Sequence, residues 1–433
     1  MRSGARRAVV TGLGLVTPLG LGTEQNWQAL LAGRSGIRRI RSFDAGKFAT
    51  QIAGEVPDYD PLPYLPPGER LPETAQKHTR FAVTAARMAW DDAGLAETAP
   101  ERERLGVFLG AGKGTGLGDL HNLVPLLMRS LEPEGQVSLP RFWQTARELM
   151  PPTVEMEAEP SRAAILLATM YGAEGPFSTC LTSCAASSQA IGEALRAIQY
   201  GTADVALCGG SHSMITPLGL MGFSLLNALS TRNDEPERAS RPFDRERDGF
   251  ILAEGAGILV LEELEHARRR GARIYAELAG YGPSSDAFRA TDPHPEAVGG
   301  ILAIKRALDD ARMQPSEIGY INAHGTSTQS NDKIETMAIK AVFGEHAARV
   351  PVSSTKSCTG HLIAAAGAVE LAISCLTIVH GIIPPTINYE TPDAECDLDC
   401  VPNVAREARV DAVLSNSFGF GGQNVALVVR RLT

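Results

Sequence analysis

Ala89-Trp90-Asp91-Asp92-Ala93, inside a helix pattern at 81–93, returns as Ala307-Leu308-Asp309-Asp310-Ala311 inside a second helix pattern at 301–311. Each copy is followed by a short strand pattern. The first, 106–109, ends in glycines, and the second, 319–322, runs into His324-Gly325. A second ordered pairing supports the first. The helix that begins at Cys184 leads to a strand at 203–209 and Gly210, while the helix that begins at His361 leads to a strand at 411–415 and Gly419-Phe420-Gly421-Gly422. Five-residue matches arise by chance, but two pairings in the same order argue for internal duplication. Two similar halves are expected, residues 1–265 and 266–433, with a thiol and an imidazole at equivalent helix starts.

Apolar strand patterns at 8–11, 106–109, 205–207, 258–261, 352–354 and 425–429 alternate with helical segments, which defines an α/β layered fold with buried sheets. Residues 120–160 carry Pro125, Pro133, Pro140, Pro151 and Pro152 and read as an irregular excursion from the core. The apolar stretch 362–379 is interrupted by Gly367, Glu370 and Ser374, so it reads as a buried core helix and not as a membrane span.

At 433 residues the chain has room for roughly two or three units by a length prior of ~150 residues per domain. Its 41 basic and 50 acidic side chains leave a net charge of −9, which provides no global attraction for nucleic acid or an anionic membrane. Seven scattered cysteines form no even framework, so a reduced, cytoplasmic setting is expected. The basic start resembles a secretory leader, but Gly12, Gly14 and Pro18 break its apolar run and a first strand explains it better.

Cys184 stands where the strand pattern of Phe177-Ser178-Thr179-Cys180 turns into a small-residue helix. A helix N-terminus carries partial positive charge, which favours a thiolate nucleophile. His324 and His361 follow strand patterns within Gly, Ser and Thr frames, where open α/β folds place active sites. A cysteine with two histidines suits acyl transfer: the sulfur holds a thioester, and the imidazoles act on a second substrate or on oxyanion charge. A lone buried cysteine is more often a small hydrophobe, so the pattern of all three carries the reading. Lys356 precedes His361, and Asp332 and Glu335 follow His324 near one face of a helix start, so a buried Lys–Glu pair is expected to orient the imidazoles. The loop Phe418-Gly419-Phe420-Gly421-Gly422 is a candidate gate that offers a backbone N–H to an oxyanion.

Two other classes fit less well. The loop 110–116 resembles a phosphate-cradling loop, yet Val107 stands where its first glycine belongs and Gly114 replaces the Ser or Thr after Lys113. Cys180 and Cys184 are spaced C-x₃-C, as are Cys396 and Cys400, without the tight knuckles of a zinc site. No metal is expected.

The ordered blocks together resemble the β-ketoacyl-acyl-carrier-protein synthases of the thiolase-like condensing-enzyme superfamily, most closely the elongating type II synthases. The blocks are Val9-Val10-Thr11-Gly12-Leu13-Gly14, Ser240-Arg241-Pro242-Phe243-Asp244, Asn322-Ala323-His324-Gly325-Thr326, Lys356 through His361, and Asn416 through Gly422. The resemblance implies a five-layered αβαβα fold, a homodimer, and decarboxylative condensation of a Cys184-bound acyl group with malonyl-acyl carrier protein. It gives His324 and His361 the decarboxylation and enolate steps, and the N–H groups of Cys184 and Phe420 the oxyanion hole. Lys356, Glu335 and Asp332 would support the histidines, Thr326 and Thr328 would bind the phosphopantetheine arm, and Phe420, flanked by Phe418 and Gly419, would gate access. No cofactor is implied beyond the arm that the carrier brings. A decarboxylase or acyltransferase of the same superfamily is the alternative, since a thiolase would need a second cysteine where Phe418 and Phe420 stand.

Lys113 falls where elongating synthases tend to place an apolar residue lining the acyl tunnel. A charge there disfavours a long plain aliphatic chain and implies a short, polar or unusual acyl substrate. For the acidic carrier, Gln76-Lys77-His78-Thr79-Arg80 is the candidate docking patch.

Overall fold

A computed structural model describes residues 6–112, 120–150 and 152–433. The first half runs β1 (Ala8–Thr17), α1 (Lys77–Asp92), β2 (Leu105–Ala111), β3 (Phe177–Cys180), α2 (Ala186–Gln199), β4 (Val205–His212) and β5 (Gly255–Glu263). The second runs β6 (Ala276–Ser285), α3 (Val298–Ala311), β7 (Tyr320–Asn322), α4 (Gln329–Phe343), β8 (Val352–Ser353), α5 (Ala366–His380), β9 (Ala412–Phe418) and β10 (Gln423–Arg430).

Strand order repeats between the halves: β3-β2-β4-β5-β1 and β8-β7-β9-β10-β6. In each, the first three strands pair in parallel and the last two pairings are antiparallel. β1 and β6 pair edge to edge from Ala8↔Leu278 to Val10↔Ala276, which joins the halves into one sheet. Helices α2 and α5 pack between the halves, with α1 on the outer face of the first and α3 on that of the second. That is the five-layered αβαβα order. Separate apolar clusters fill the central layer, the space under α1 and the space under α3. The stretch Ile363–His380 is long and apolar enough to cross a membrane, but 89% of it is buried as this central layer.

The repeated pentapeptide has a packing cause. A Cβ at Gly12 or Gly14 would fall 2.1 Å or 1.9 Å from the carbonyl oxygens of Ala89 and Ala85 on α1. In the second half, a Cβ at Gly280 or Gly282 would fall 2.2 Å or 2.1 Å from those of Ala307 and Ala303 on α3. Between each glycine pair the strand donates one N–H to the helix: Leu13 to Asp92 at 2.8 Å, and Tyr281 to Asp310 at 2.9 Å. Small residues and one carboxylate recur because strand and helix touch backbone to backbone.

The same glycines hid strand length. Gly12 and Gly14 end the β1 pattern at residue 11 although β1 runs to Thr17, and Gly280, Gly282 and Pro283 conceal β6 altogether. Residues 120–160 are also more regular than expected, forming helices Leu120–Ser130, Leu139–Leu149 and Pro152–Met156. Pro140 and Pro152 sit in first turns, where a missing N–H costs nothing.

Candidate active site

Cys184 lies in the short turn Ser183–Ala185 that leads into α2, and the equivalent turn Ile363–Ala365 leads into α5 two residues after His361. Each turn starts with a non-glycine residue at positive φ, Ser183 at 48° and Ile363 at 50°. Such backbone is sparsely populated in ordinary loops and clusters at functional sites. His324 follows β7 directly. Cys184 Sγ and nitrogens of His324 and His361 lie within 4.8 Å of one another. The two imidazole centroids are 5.3 Å apart at 83°, and Phe250 meets His361 edge to face at 5.4 Å. The three side chains close the inner end of a cleft of about 290 Å³ that Thr326, Thr328, Phe418, Gly419 and Phe420 also line.

Hydrogen bonds fix both histidine tautomers. The Ile363 N–H donates to His361 Nδ1 at 3.4 Å, and the Lys356 ammonium lies 3.3 Å from His324 Nδ1 and donates to the His324 carbonyl at 2.7 Å. An accepting Nδ1 puts the ring proton on Nε2. His361 Nε2 has no partner among the described residues. Burial, reinforced by the Lys356 charge, holds both imidazoles well below their usual range, so both are neutral near pH 7. The site therefore presents two neutral N–H donors to an incoming oxygen.

Cys184 is a thiol at rest, which corrects the expectation of a thiolate. Burial pushes its pKa up to about 11, against the opposing pull of the Phe420 N–H, the Lys356 charge and its own N–H. The helix start acts in the expected direction; desolvation outweighs it. The backbone N–H groups of Phe420 and Cys184 both lie close enough to the sulfur to favour its charged form. Phe420 stacks on Phe223 at 6.5 Å, and its loop is closed by Gly419 N–H to Gln423 O and Gly422 N–H to Gly419 O.

The supporting carboxylates divide the work differently from the expectation. Lys356 pairs with Glu370 on α5, not with Glu335 or Asp332, and both partners are buried. Burial pushes Glu370 up to about 7 although Lys356 draws it down. Glu335 holds the His324 backbone, accepting the N–H groups of His324 and Gly325 at 2.8 Å and 2.7 Å and the Asn416 amide at 3.0 Å. Asp332 stands farther out, accepting from the N–H groups of Phe243 and Ser327 with Arg247 3.7 Å away. Thr326 and Thr328 hydroxyls meet at 3.0 Å, and Thr328 also caps α4 through the Asn331 N–H. Glu370 had been legible only as one carboxylate in an apolar helix. That was its signal, since a charge inside a core is nearly always paired.

Other candidates fare differently. Lys113 lies outside the described residues, as does most of the loop 110–116. Gly110 and Gly112 of that loop are used in packing: a Cβ at Gly110 would fall 2.2 Å from the Ser187 nitrogen. Among the described residues, the one group of three or more donors that converges is Cys184, His324 and His361, so Cys396 and Cys400 do not join Cys180 and Cys184 in a four-thiol centre. Donors around a single zinc ion sit about 3.5 Å apart, a tighter set than the 4.8 Å spread here. In the patch 76–80, Lys77 and Arg80 are exposed, Lys77 pairing with buried Glu254 at 2.9 Å and Arg80 donating to the Ala75 carbonyl, while His78 is buried.

This fold and this Cys-His-His site define a thiolase-like condensing enzyme. Residues 5–267 match the beta-ketoacyl synthase N-terminal domain and residues 275–390 the beta-ketoacyl synthase C-terminal domain. The chain belongs to the beta-ketoacyl synthase family and is an acyltransferase of the condensing class. It is 46% identical over 427 residues to 3-oxoacyl-[acyl-carrier-protein] synthase 2 of Coxiella burnetii, covering 99% of both chains. It is 44% identical over 441 residues to the tetracenomycin polyketide synthase ketoacyl synthase alpha subunit of Streptomyces glaucescens, covering 99% of this chain and 98% of that one. Among solved structures, a ketosynthase bound to its type II polyketide-synthase acyl-carrier protein superposes with TM-score 0.87 at 37% identity, covering 99% of this chain and 100% of that one.

Proposed function

We propose that the chain is a β-ketoacyl-acyl-carrier-protein synthase, joining a Cys184-bound acyl group to malonyl-acyl carrier protein in fatty-acid or polyketide-like synthesis. The observation that carries this reading is the convergence of one thiol and two Nε2–H imidazoles at the closed end of one cleft. In the first step Cys184 Sγ bonds to the acyl carbon, the carbon–sulfur bond to the carrier arm breaks, and the thiol proton passes to the departing arm. The N–H groups of Cys184 and Phe420 steady the oxyanion. In the second step the malonyl thioester oxygen sits on the Nε2–H groups of His324 and His361. Its carbon–carboxylate bond breaks, carbon dioxide leaves, and the electron pair becomes an enolate. That carbon then attacks the acyl carbon, and the Cys184 sulfur departs as a thiolate and takes one proton from water.

Neutral imidazoles suit this task, because they stabilise a developing enolate oxygen without drawing the malonyl carboxylate into a fixed ion pair. Decarboxylation supplies the driving force, so the steps call on no cofactor. The partner is acyl carrier protein, which delivers both substrates on its flexible arm through the Thr326–Thr328 end of the cleft. A homodimer is supported by β3, which ends the strand order among the described residues and leaves Phe177, and Leu181 just beyond it, 46% and 57% exposed. Seven free, buried cysteines support a cytoplasmic setting.

The test is reconstitution with an acyl-carrier and a malonyl-carrier substrate. A β-ketoacyl-carrier product two carbons longer, released with one equivalent of carbon dioxide, is expected. Carbon dioxide without chain extension would favour the decarboxylase reading, and acyl transfer alone the acyltransferase one.

A further inference from the structure

We propose that Arg247, which does not itself line the Cys184 cleft, is a positioning residue for the carrier's arm: it holds Thr326 and Thr328 where their hydroxyls meet the pantetheine part of the substrate. This rests on the condensing reaction above, in which that arm enters at the Thr326–Thr328 end. The residue between the two threonines is Ser327, a non-glycine residue at φ 73°. Such backbone persists only where its surroundings over-determine it, and it gathers at ligand clamps. Every polar group of Ser327 is held. Its N–H donates to Asp332 at 3.2 Å, its hydroxyl accepts the Arg241 N–H at 3.0 Å, and its carbonyl accepts the Gly249 N–H at 3.1 Å.

Arg247 fastens the far side of the same turn. It is 1% exposed, and its guanidinium donates to the carbonyls of Thr328 and Gln329, each at 3.1 Å, and of Asp244 at 2.8 Å. It also meets the Asp393 carboxylate at 2.6 Å and lies 3.7 Å from that of Asp332. The Gln329 amide donates back to the Arg247 carbonyl. One planar fork therefore joins two stretches of cleft lining, Asp248–Phe250 next to it in the chain and Thr326–Gln329 across from it. An ammonium keeps the charge that balances Asp332 and Asp393, but as a compact point it cannot reach three carbonyls and a carboxylate at once. Arg247→Lys thus separates charge balance from the geometry of the threonine turn.

The experiment follows Cys184 occupancy by intact-protein mass spectrometry with two donors of one acyl group, hexanoyl-pantetheine and hexanoyl ethyl thioester, which lacks the arm. Arg247→Lys should lower the loading efficiency from pantetheine about tenfold, through a higher half-saturating concentration at an unchanged limiting rate, and should keep ethyl thioester loading within about twofold. Asp393→Asn, outside the cleft, should show a smaller split of the same kind, and it serves as the test if the first variant does not fold. Equal losses on both donors, or no loss on either, would overturn the assignment and leave Arg247 a purely structural role. Equal use of the two donors by the wild type would overturn it as well, because the arm would then gain nothing at the threonines. If neither donor labels Cys184 in the wild type, the condensing reading itself fails, and this assignment with it.

Discussion

Lys356 and Glu370 form a buried ion pair directly behind His324, with the ammonium reaching the imidazole Nδ1 and the backbone carbonyl at once. The pair ties α5 of the central layer to the loop after β7. It therefore couples the orientation of one imidazole to the packing between the two halves. Removing one member of a buried pair leaves the other charge stranded, at about 3–5 kcal/mol. Glu370→Ala should lose stability on that scale in urea denaturation. Lys356→Met, which buries no charge of its own, should release carbon dioxide from malonyl-carrier protein about 100-fold more slowly because His324 loses its donor at Nδ1.

The pair also sets a pH window. Glu370 is raised from 4.5 to about 7 in the folded protein, so the folded state holds its proton more tightly than the unfolded chain does. Its stabilising contribution is then full below pH 4.5 and is lost as pH rises towards 7. Stability of the wild type minus that of Glu370→Gln should fall across this window. A difference that is flat from pH 4 to 8 would contradict the assigned environment. Asp332 and Glu335 are raised too, which is why the comparison between the two proteins, and not the wild-type curve alone, is the readout.

Cys184 should alkylate slowly near neutrality. With its pKa pushed to about 11 by burial, iodoacetamide labelling of the free enzyme should climb with pH well beyond 9. A rate that levels off near pH 7 would mean a resting thiolate.

His324→Ala and His361→Ala should separate the two half-reactions. Each is expected to acylate at Cys184 while losing carbon dioxide release from malonyl-carrier protein by about 100-fold or more, the scale for an oxyanion donor. Rapid-quench assays of the two steps check this.

The duplication predicts matched packing defects. Gly12→Ala and Gly280→Ala place a methyl against the equivalent carbonyls of Ala89 and Ala307, and each should cost about 1–3 kcal/mol or more by overpacking. Chemical denaturation of the two variants should give losses of similar size.

Much of this was legible in the chain, for physical reasons that differ by residue. Cys184, His324 and His361 stood out because each sits in a Gly, Ser and Thr frame, and those small residues are what let helix starts and loops approach closely, although His361 follows the helical turn Lys356–Thr359 and not the strand end that the pattern suggested. The layered α/β order followed from strand and helix periodicity, and the duplicated Asp92 and Asp310 from their shared bond to a strand N–H. Glu370 was hidden because its partner lies fourteen positions away across a packed layer. β6 was hidden because its glycines, needed for contact with α3, mimic a turn. The thiol state of Cys184 depended on burial, which a helix-start argument does not contain.

The most direct measurement is intact-protein mass spectrometry after incubation with an acyl-carrier protein, comparing wild type with Cys184→Ala. The wild type should gain the mass of one acyl group, discharged on adding malonyl-carrier protein, and the variant should gain none. A wild-type protein that stays unmodified, or an acyl group that persists on Cys184→Ala, would contradict the assignment of that sulfur as the acyl carrier.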